Sequence, residues 1–93
     1  MLGLCRRAGK ISPGHDAAFE SIAKNKASAC FLCADASDRL KDEFKRTTAF
    51  DGRDIPCIEI GYEKNEIYYA AKIRAAVFTV DDAGFAQKLM TLL

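Results

Sequence analysis

The chain has a single histidine, His15, and its six glycines are scattered. A phosphate-cradling P-loop needs glycines followed by Lys-Ser/Thr, and a dinucleotide fingerprint needs Gly-x-Gly-x-x-Gly between strand and helix. Neither run occurs. One imidazole in a turn gives no serine, threonine or cysteine an evident base, so nothing in the sequence argues for an enzyme or a cofactor. No apolar run approaches a membrane span and the N-terminal residues lack an apolar signal core, so the expectation is a cytoplasmic chain off the membrane. Charge of one sign is also missing. Fourteen Lys and Arg against 13 Asp and Glu leave a net charge of +1. Non-specific nucleic-acid binders carry a large basic excess, so any RNA contact here must be a local patch.

Cysteine is present but not in a metal pattern. Cys30 and Cys33 form a Cys-x-x-Cys, with Cys5 and Cys57 elsewhere and no second pair. They fall in the apolar run Ala29-Cys30-Phe31-Leu32-Cys33-Ala34, which reads as a buried strand. Residues three apart on a strand point to opposite faces, so these thiols are expected to be small core residues rather than ligands.

Ninety-three residues, 49% apolar and 29% charged, make one soluble domain over 1–93. Leu2 to Ala8 reads as a short helix stopped by Gly9. A Ser12-Pro13-Gly14 turn then opens a helix over 14–24 with an apolar stripe of Ala18, Phe19, Ile22 and Ala23, closed by Asn25 as a left-handed cap. A strand over 28–34, a helix over 38–48 capped by Ser37 and an edge strand over 55–60 follow. A short helix over 63–71 leads to a strand over 75–80. Asp81 is read as the cap of a last helix whose stripe is Phe85, Ala86, Leu89, Leu92 and Leu93. Alternation with short loops predicts parallel strands with helices on both faces: an α/β class, single-domain three-layer α/β/α sandwich with a small, mostly parallel or mixed sheet.

One stretch gathers positive charge and a helix start: Arg6-Arg7-Ala8-Gly9-Lys10-Ile11-Ser12-Pro13-Gly14-His15-Asp16. Unpaired N–H groups at a helix N-terminus suit an anion such as a phosphate, whereas a solvated surface with ordinary cap chemistry is the plainer account. The dipole disfavours an imidazolium at His15, so a neutral ring is expected there. Tyr62, Tyr68 and Tyr69 could stack on bases or simply cover the end of the sheet.

The run Leu2-Gly3-Leu4-Cys5-Arg6-Arg7-Ala8-Gly9-Lys10 with Ser12-x-Gly14 resembles the opening of the small bacterial YlxQ-type proteins. These are a branch of the ribosomal protein L-seven-Ae superfamily of kink-turn RNA binders. Leu32-Cys33-Ala34-Asp35-Ala36-Ser37 and Val80-Asp81-Asp82-Ala83-Gly84-Phe85-Ala86 resemble the same branch in the same order. The resemblance covers essentially the whole chain. It implies an α/β/α sandwich and non-catalytic binding of a structured, kink-turn-like RNA, often on the ribosome. Carried residue by residue, the implied RNA contacts are Gly14, His15, Asp16, Asp35 and Arg74, with Arg6, Arg7 and Lys10 supplying the basic patch.

The chain departs from the family pattern at several of these places. Glu20 stands where a lysine is usual and Ala34 where a glutamate is common, and Tyr68-Tyr69 lie in a loop normally built on glycines. Two readings follow. One is an RNA binder with an altered contact set. The other is a family scaffold that has lost kink-turn recognition and serves a protein partner.

Overall fold

Two apolar clusters on opposite sides of one sheet organise the chain, and the alternation of the central strands assigns the side chains to them. The computed structural model describes residues 2–92, the Asp51 side chain apart. In chain order the elements are α1 (Leu2–Arg7), β1 (Ile11–Pro13), α2 (His15–Ala23), β2 (Ala29–Leu32) and α3 (Asp38–Ala49). A single 3-10 turn (Phe50–Gly52), β3 (Cys57–Glu59), α4 (Lys64–Ala71), β4 (Val77–Val80) and α5 (Ala83–Leu92) complete it.

Every residue of β2 and β4 is buried, as their unbroken apolar runs require of strands covered on both faces. Ala29, Phe31 and Cys33 join Phe78 and Val80 in a cluster covered by Leu2 and Cys5 of α1, Ile67 and Ala71 of α4, and Ala86 and Leu89 of α5. Cys30, Leu32 and Val77 face the other way, onto Ala18 and Ile22 of α2 and Phe44 of α3. Phe31 and Phe78 stack at 5.4 Å between centroids. Full burial of each contributes about 1.5–3 kcal/mol. Cys30 and Cys33 therefore lie in different clusters, as strand geometry demands. Burial pushes the Cys5 and Cys33 thiols up to about 11.

The sheet order is β1-β4-β2-β3. Only β2 and β3 run parallel; β4 is antiparallel to both β2 and β1. The sheet is mixed, one of the two arrangements expected, and the parallel pairing predicted from the alternation of elements holds only for β2 and β3. The reason lies in the segment from β3 to β4. Ile60 donates to the Leu32 carbonyl and Cys33 to the Ala76 carbonyl, both at 2.8 Å, so the segment leaves and re-enters at one end of the sheet. The eight-residue α4 ends in a left-handed Lys72 (φ 59°), and the chain turns back rather than crossing over.

β1 is a second correction. Ser12 and Pro13, expected to lie in a turn with Gly14, instead join Ile11 in an edge strand, Ile11–Pro13, registered on Val80, Thr79 and Phe78. Three residues give no readable alternation, and Pro13, having no N–H, is tolerated at an edge. The edge placement of β3, by contrast, agrees with its Pro56 and Glu59.

The helix stripes also need correcting. Ala18 and Ile22 are buried, but Phe19 is 45% exposed and Ala23 is exposed, because Ser21 takes the inward place on that turn. On α5 Ala86 and Leu89 face the core, whereas Leu92 is exposed; Leu93 lies outside the described residues. Ser37 caps α3 as expected, accepting from the Leu40 N–H at 3.2 Å, and Asn25 is left-handed at φ 59°.

The cap of α5 is Asp82 rather than Asp81, with Oδ1 accepting from the Phe85 N–H at 2.9 Å. Asp81 is drawn the other way. Its carboxylate accepts from Ser12 Oγ at 2.5 Å, Ser21 Oγ at 2.6 Å and Thr79 Oγ1 at 2.9 Å, tying β1 and α2 to β4. Among the described residues no helix is long and apolar enough to cross a membrane.

Candidate nucleic-acid interface

The mixed topology brings three loops to one end of the sheet. β1 and β2 finish there and β4 begins there. The Gly14 N–H donates to the Val77 carbonyl at 2.8 Å, beside the Cys33 bond to Ala76. Gly14, the Ala34-Asp35 loop and the approach to β4 through Arg74 are thus adjacent.

Gly14 sits at φ 91°, ψ 165°, a backbone region that only glycine enters readily, and no side chain caps the helix behind it. The first-turn N–H groups of α2 are left open at the positive end of the dipole. A Cβ at Gly14 would meet nothing within 4 Å, so the requirement for glycine there is purely conformational.

His15 and Asp16 follow. His15 Nε2 lies 2.7 Å from Glu43 Oε2 and its Nδ1 3.2 Å from Asp16 Oδ1. The Glu43 carboxylate first, then Asp16, raises the His15 pKa above the usual 6.5, opposite in direction to the effect expected of the dipole. Two short-range carboxylates outweigh half a unit charge spread over a helix end. Because the folded pKa is raised, the stabilising interaction is present below the unfolded value and is lost as pH rises through the folded value. As the only histidine, His15 gives one resolved imidazole titration by NMR. We expect its midpoint above 6.5, and Glu43→Gln to lower it; a midpoint unmoved by that substitution would remove Glu43 as the cause.

Asp35 is engaged structurally, its Oδ1 accepting from the Lys64 N–H at 3.0 Å and fixing the start of α4. α4 is closed by a reciprocal capping box between Glu63 and Glu66. Beyond it, Arg74 lies 4.7 Å over the Tyr68 ring and donates from Nη2 to the Tyr68 hydroxyl at 3.0 Å, with Lys72 Nζ 5.1 Å from the same ring. Lys64, Asn65, Tyr68 and Arg74 line one shallow depression. Sequence reasoning found Arg74 but not Lys64 and Lys72, whose charges converge only because α4 turns back at its left-handed end. Tyr69, 81% exposed, meets the Tyr68 ring edge-on with centroids 6.3 Å apart and covers little of the sheet's end.

Arg6, Arg7 and Lys10 are not part of this cluster. The Lys10 carbonyl accepts from the Asp81 N–H at 2.7 Å, at the end of the sheet where β1 starts and β4 finishes. β1 spans about 10 Å at ~3.3 Å per residue and separates these cations from the α2 start. Glu20 is paired with Lys24 along α2, which lowers its pKa.

No family model matches the chain. It is 32% identical over 93 residues to the RNA-binding protein YlxQ of Enterococcus faecium, covering all of this chain and 87% of that protein. The chain belongs to the YlxQ family. Among solved structures, a protein of unknown function from Bacillus halodurans C superposes with a TM-score of 0.85 at 25% identity. It covers 98% of this chain and 90% of its own. A Giardia lamblia 15.5kD RNA binding protein superposes with a TM-score of 0.70 at 20% identity, over 99% and 83% of the two chains. That likeness is one of fold alone.

Proposed function

We propose that this YlxQ-family chain is a non-catalytic, cytoplasmic RNA-binding protein whose interface is the sheet end carrying Gly14, His15, Asp16, Asp35 and Arg74. Its partner is a structured RNA of the kink-turn class, carried on the ribosome or free. The observation that carries the reading is the uncapped α2 start at Gly14 standing at the same end as the Arg74–Tyr68 stack.

The two halves suit different parts of an RNA. Asp16 and the first-turn N–H groups of α2 complement the donors and acceptors of splayed base edges. Lys64, Lys72 and Arg74 complement phosphates. Asp16 and Glu43 make the α2 start a poor place for a phosphate, since even a protonated His15 leaves the trio at −1 (+1 − 2). The relative named for RNA binding supports the class of ligand. Arg6, Arg7 and Lys10 form a second basic patch at the far end, reached only by an RNA long enough to run along the body.

The test is binding of the purified protein to a kink-turn RNA and to a length-matched plain duplex across a salt series. Selective binding of the kink-turn with a steep salt dependence is expected. Equal weak binding of both, vanishing at moderate salt, would reject kink-turn recognition and leave a non-specific basic patch. A family scaffold serving a protein partner is the second reading, favoured by the exposure of Leu4 (58%), Tyr69 (81%) and Leu92 (64%). Under it neither RNA would bind.

A further inference from the structure

A groove between α2 and α3 carries two large aromatic rings out of the core. α2 presents His15, Phe19 and Ala23 at intervals of four, which is one face of a helix. Phe19 is 45% exposed and lies parallel to the His15 ring, with centroids 6.3 Å apart and an interplanar angle of 3°. Opposite, α3 supplies Arg46 and Thr47, and the turn behind it supplies Phe50, 69% exposed, and Arg53. Phe19, Ala23, Arg46, Thr47, Phe50 and Arg53 enclose about 310 Å³. Among the described residues no carboxylate lines this space.

Neither Arg46 nor Arg53 forms an ion pair with any described side chain, although their neighbours on α3, Lys41 and Lys45, both pair with Glu59 of β3. Arg53 donates from Nη1 to the Phe50 carbonyl at 3.3 Å, which holds it against the ring-bearing turn, and its buried Nε has no partner among the described residues. Exposed aromatic faces beside guanidinium groups that pair with no described carboxylate fit one ligand chemistry closely: a planar base stacked on a ring, with its phosphate on an arginine.

We propose that this groove is a subsite for unpaired nucleotides that continue from the RNA bound at the sheet end. The proposal rests on the RNA-binding reading and extends it. The direction comes from α2 itself: its first residue, His15, belongs to the interface, and its ring stacks on Phe19, the first residue of the groove. A strand leaving the folded RNA at the α2 start would pass from His15 to Phe19 and on to Phe50. Its phosphates would follow Arg46 and Arg53. An acidic peptide matches the arginines but gives no reason for the continuity with His15.

The experiment uses a kink-turn hairpin, either blunt or carrying a short oligouridine extension on one strand or the other. Binding to wild type, Phe50→Ala and Arg46→Gln/Arg53→Gln is followed by fluorescence anisotropy, with circular dichroism to verify folding. An extension on one strand should tighten wild-type binding about tenfold, the scale of one base stacked on an aromatic ring. Both variants should lose that gain while binding the blunt hairpin as wild type does. Photocrosslinking of a 5-bromouridine extension should fall on Phe19 or Phe50. Equal wild-type affinity for blunt and extended hairpins overturns the subsite and leaves the sheet-end interface intact, with the groove then free for a protein surface. Variants that weaken both hairpins alike overturn it too. Failure of wild type to bind any of the hairpins overturns the RNA-binding reading first, and the subsite with it.

Discussion

Asp81→Ala is expected to destabilise the domain by about 3–5 kcal/mol, a large share of the ~5–15 kcal/mol typical of a domain this size. The Asp81 carboxylate receives three hydroxyl donors, from Ser12 on β1, Ser21 on α2 and Thr79 on β4. Thr79 is fully buried and Ser21 is 4% exposed, so neither hydroxyl can turn to bulk water when the acceptor is removed. Each hydrogen bond to a charged acceptor is worth about 1.5–3 kcal/mol, and the three share one carboxylate and do not add.

Asp81→Asn retains one acceptor oxygen and should cost roughly half as much. Introducing Ser21→Ala and Thr79→Val into the Asp81→Ala chain should recover part of the loss, because removing both partners is far cheaper than orphaning one. Urea unfolding of the four proteins measures this directly. A loss below about 1 kcal/mol for Asp81→Ala would mean that solvent satisfies the hydroxyls and that the clamp contributes little.

Arg74→Glu is expected to weaken binding of the kink-turn RNA by roughly 10- to 100-fold and to reduce the salt slope by about one. The substitution removes a cation from the corner it shares with Lys64 and Lys72 and leaves a carboxylate facing phosphate. It also ends the stack on Tyr68 and the hydrogen bond to its hydroxyl. Arg74 is exposed and has no part in either apolar cluster, so thermal stability should change little. Tyr68→Phe keeps the ring beneath the guanidinium and loses only the hydroxyl, for an effect of about two- to threefold. Charge reversal at Arg6, Arg7 and Lys10 together should weaken binding less than Arg74→Glu alone, since those residues stand at the opposite end of the sheet. The reverse ranking would move the interface to the far end and exclude the sheet end as the principal contact.

Much of the fold was legible because it depends on local patterning. The unbroken apolar runs around Phe31 and Phe78 identify strands covered on both faces. Ser37 and Asn25 mark helix ends by side-chain and backbone preferences that act over three or four residues. The Cys-x-x-Cys could be set aside on strand periodicity alone, and Cys30 and Cys33 do lie in different clusters. Gly14 was also identifiable as a helix start, and its φ of 91° explains why a glycine stands there.

What the sequence could not decide was where separated charges would meet. Arg6, Arg7 and Lys10 are close to Gly14 along the chain, but the three residues of β1 carry them to the other end of the sheet. β1 is too short to show a period and is held by pairing with β4, a contact more than sixty residues away in sequence. Likewise, Arg74 reaches the Gly14 end only because β4 runs antiparallel to β2. That direction is set by the left-handed turn at Lys72 and the hydrogen bonds of Ile60 and Cys33. The pairings of His15 with Glu43 and of Asp81 with three hydroxyls are likewise long-range. Local sequence therefore determined the elements and the faces they bury. Strand direction, which is settled by backbone pairing across the whole chain, determined which charged residues form a surface.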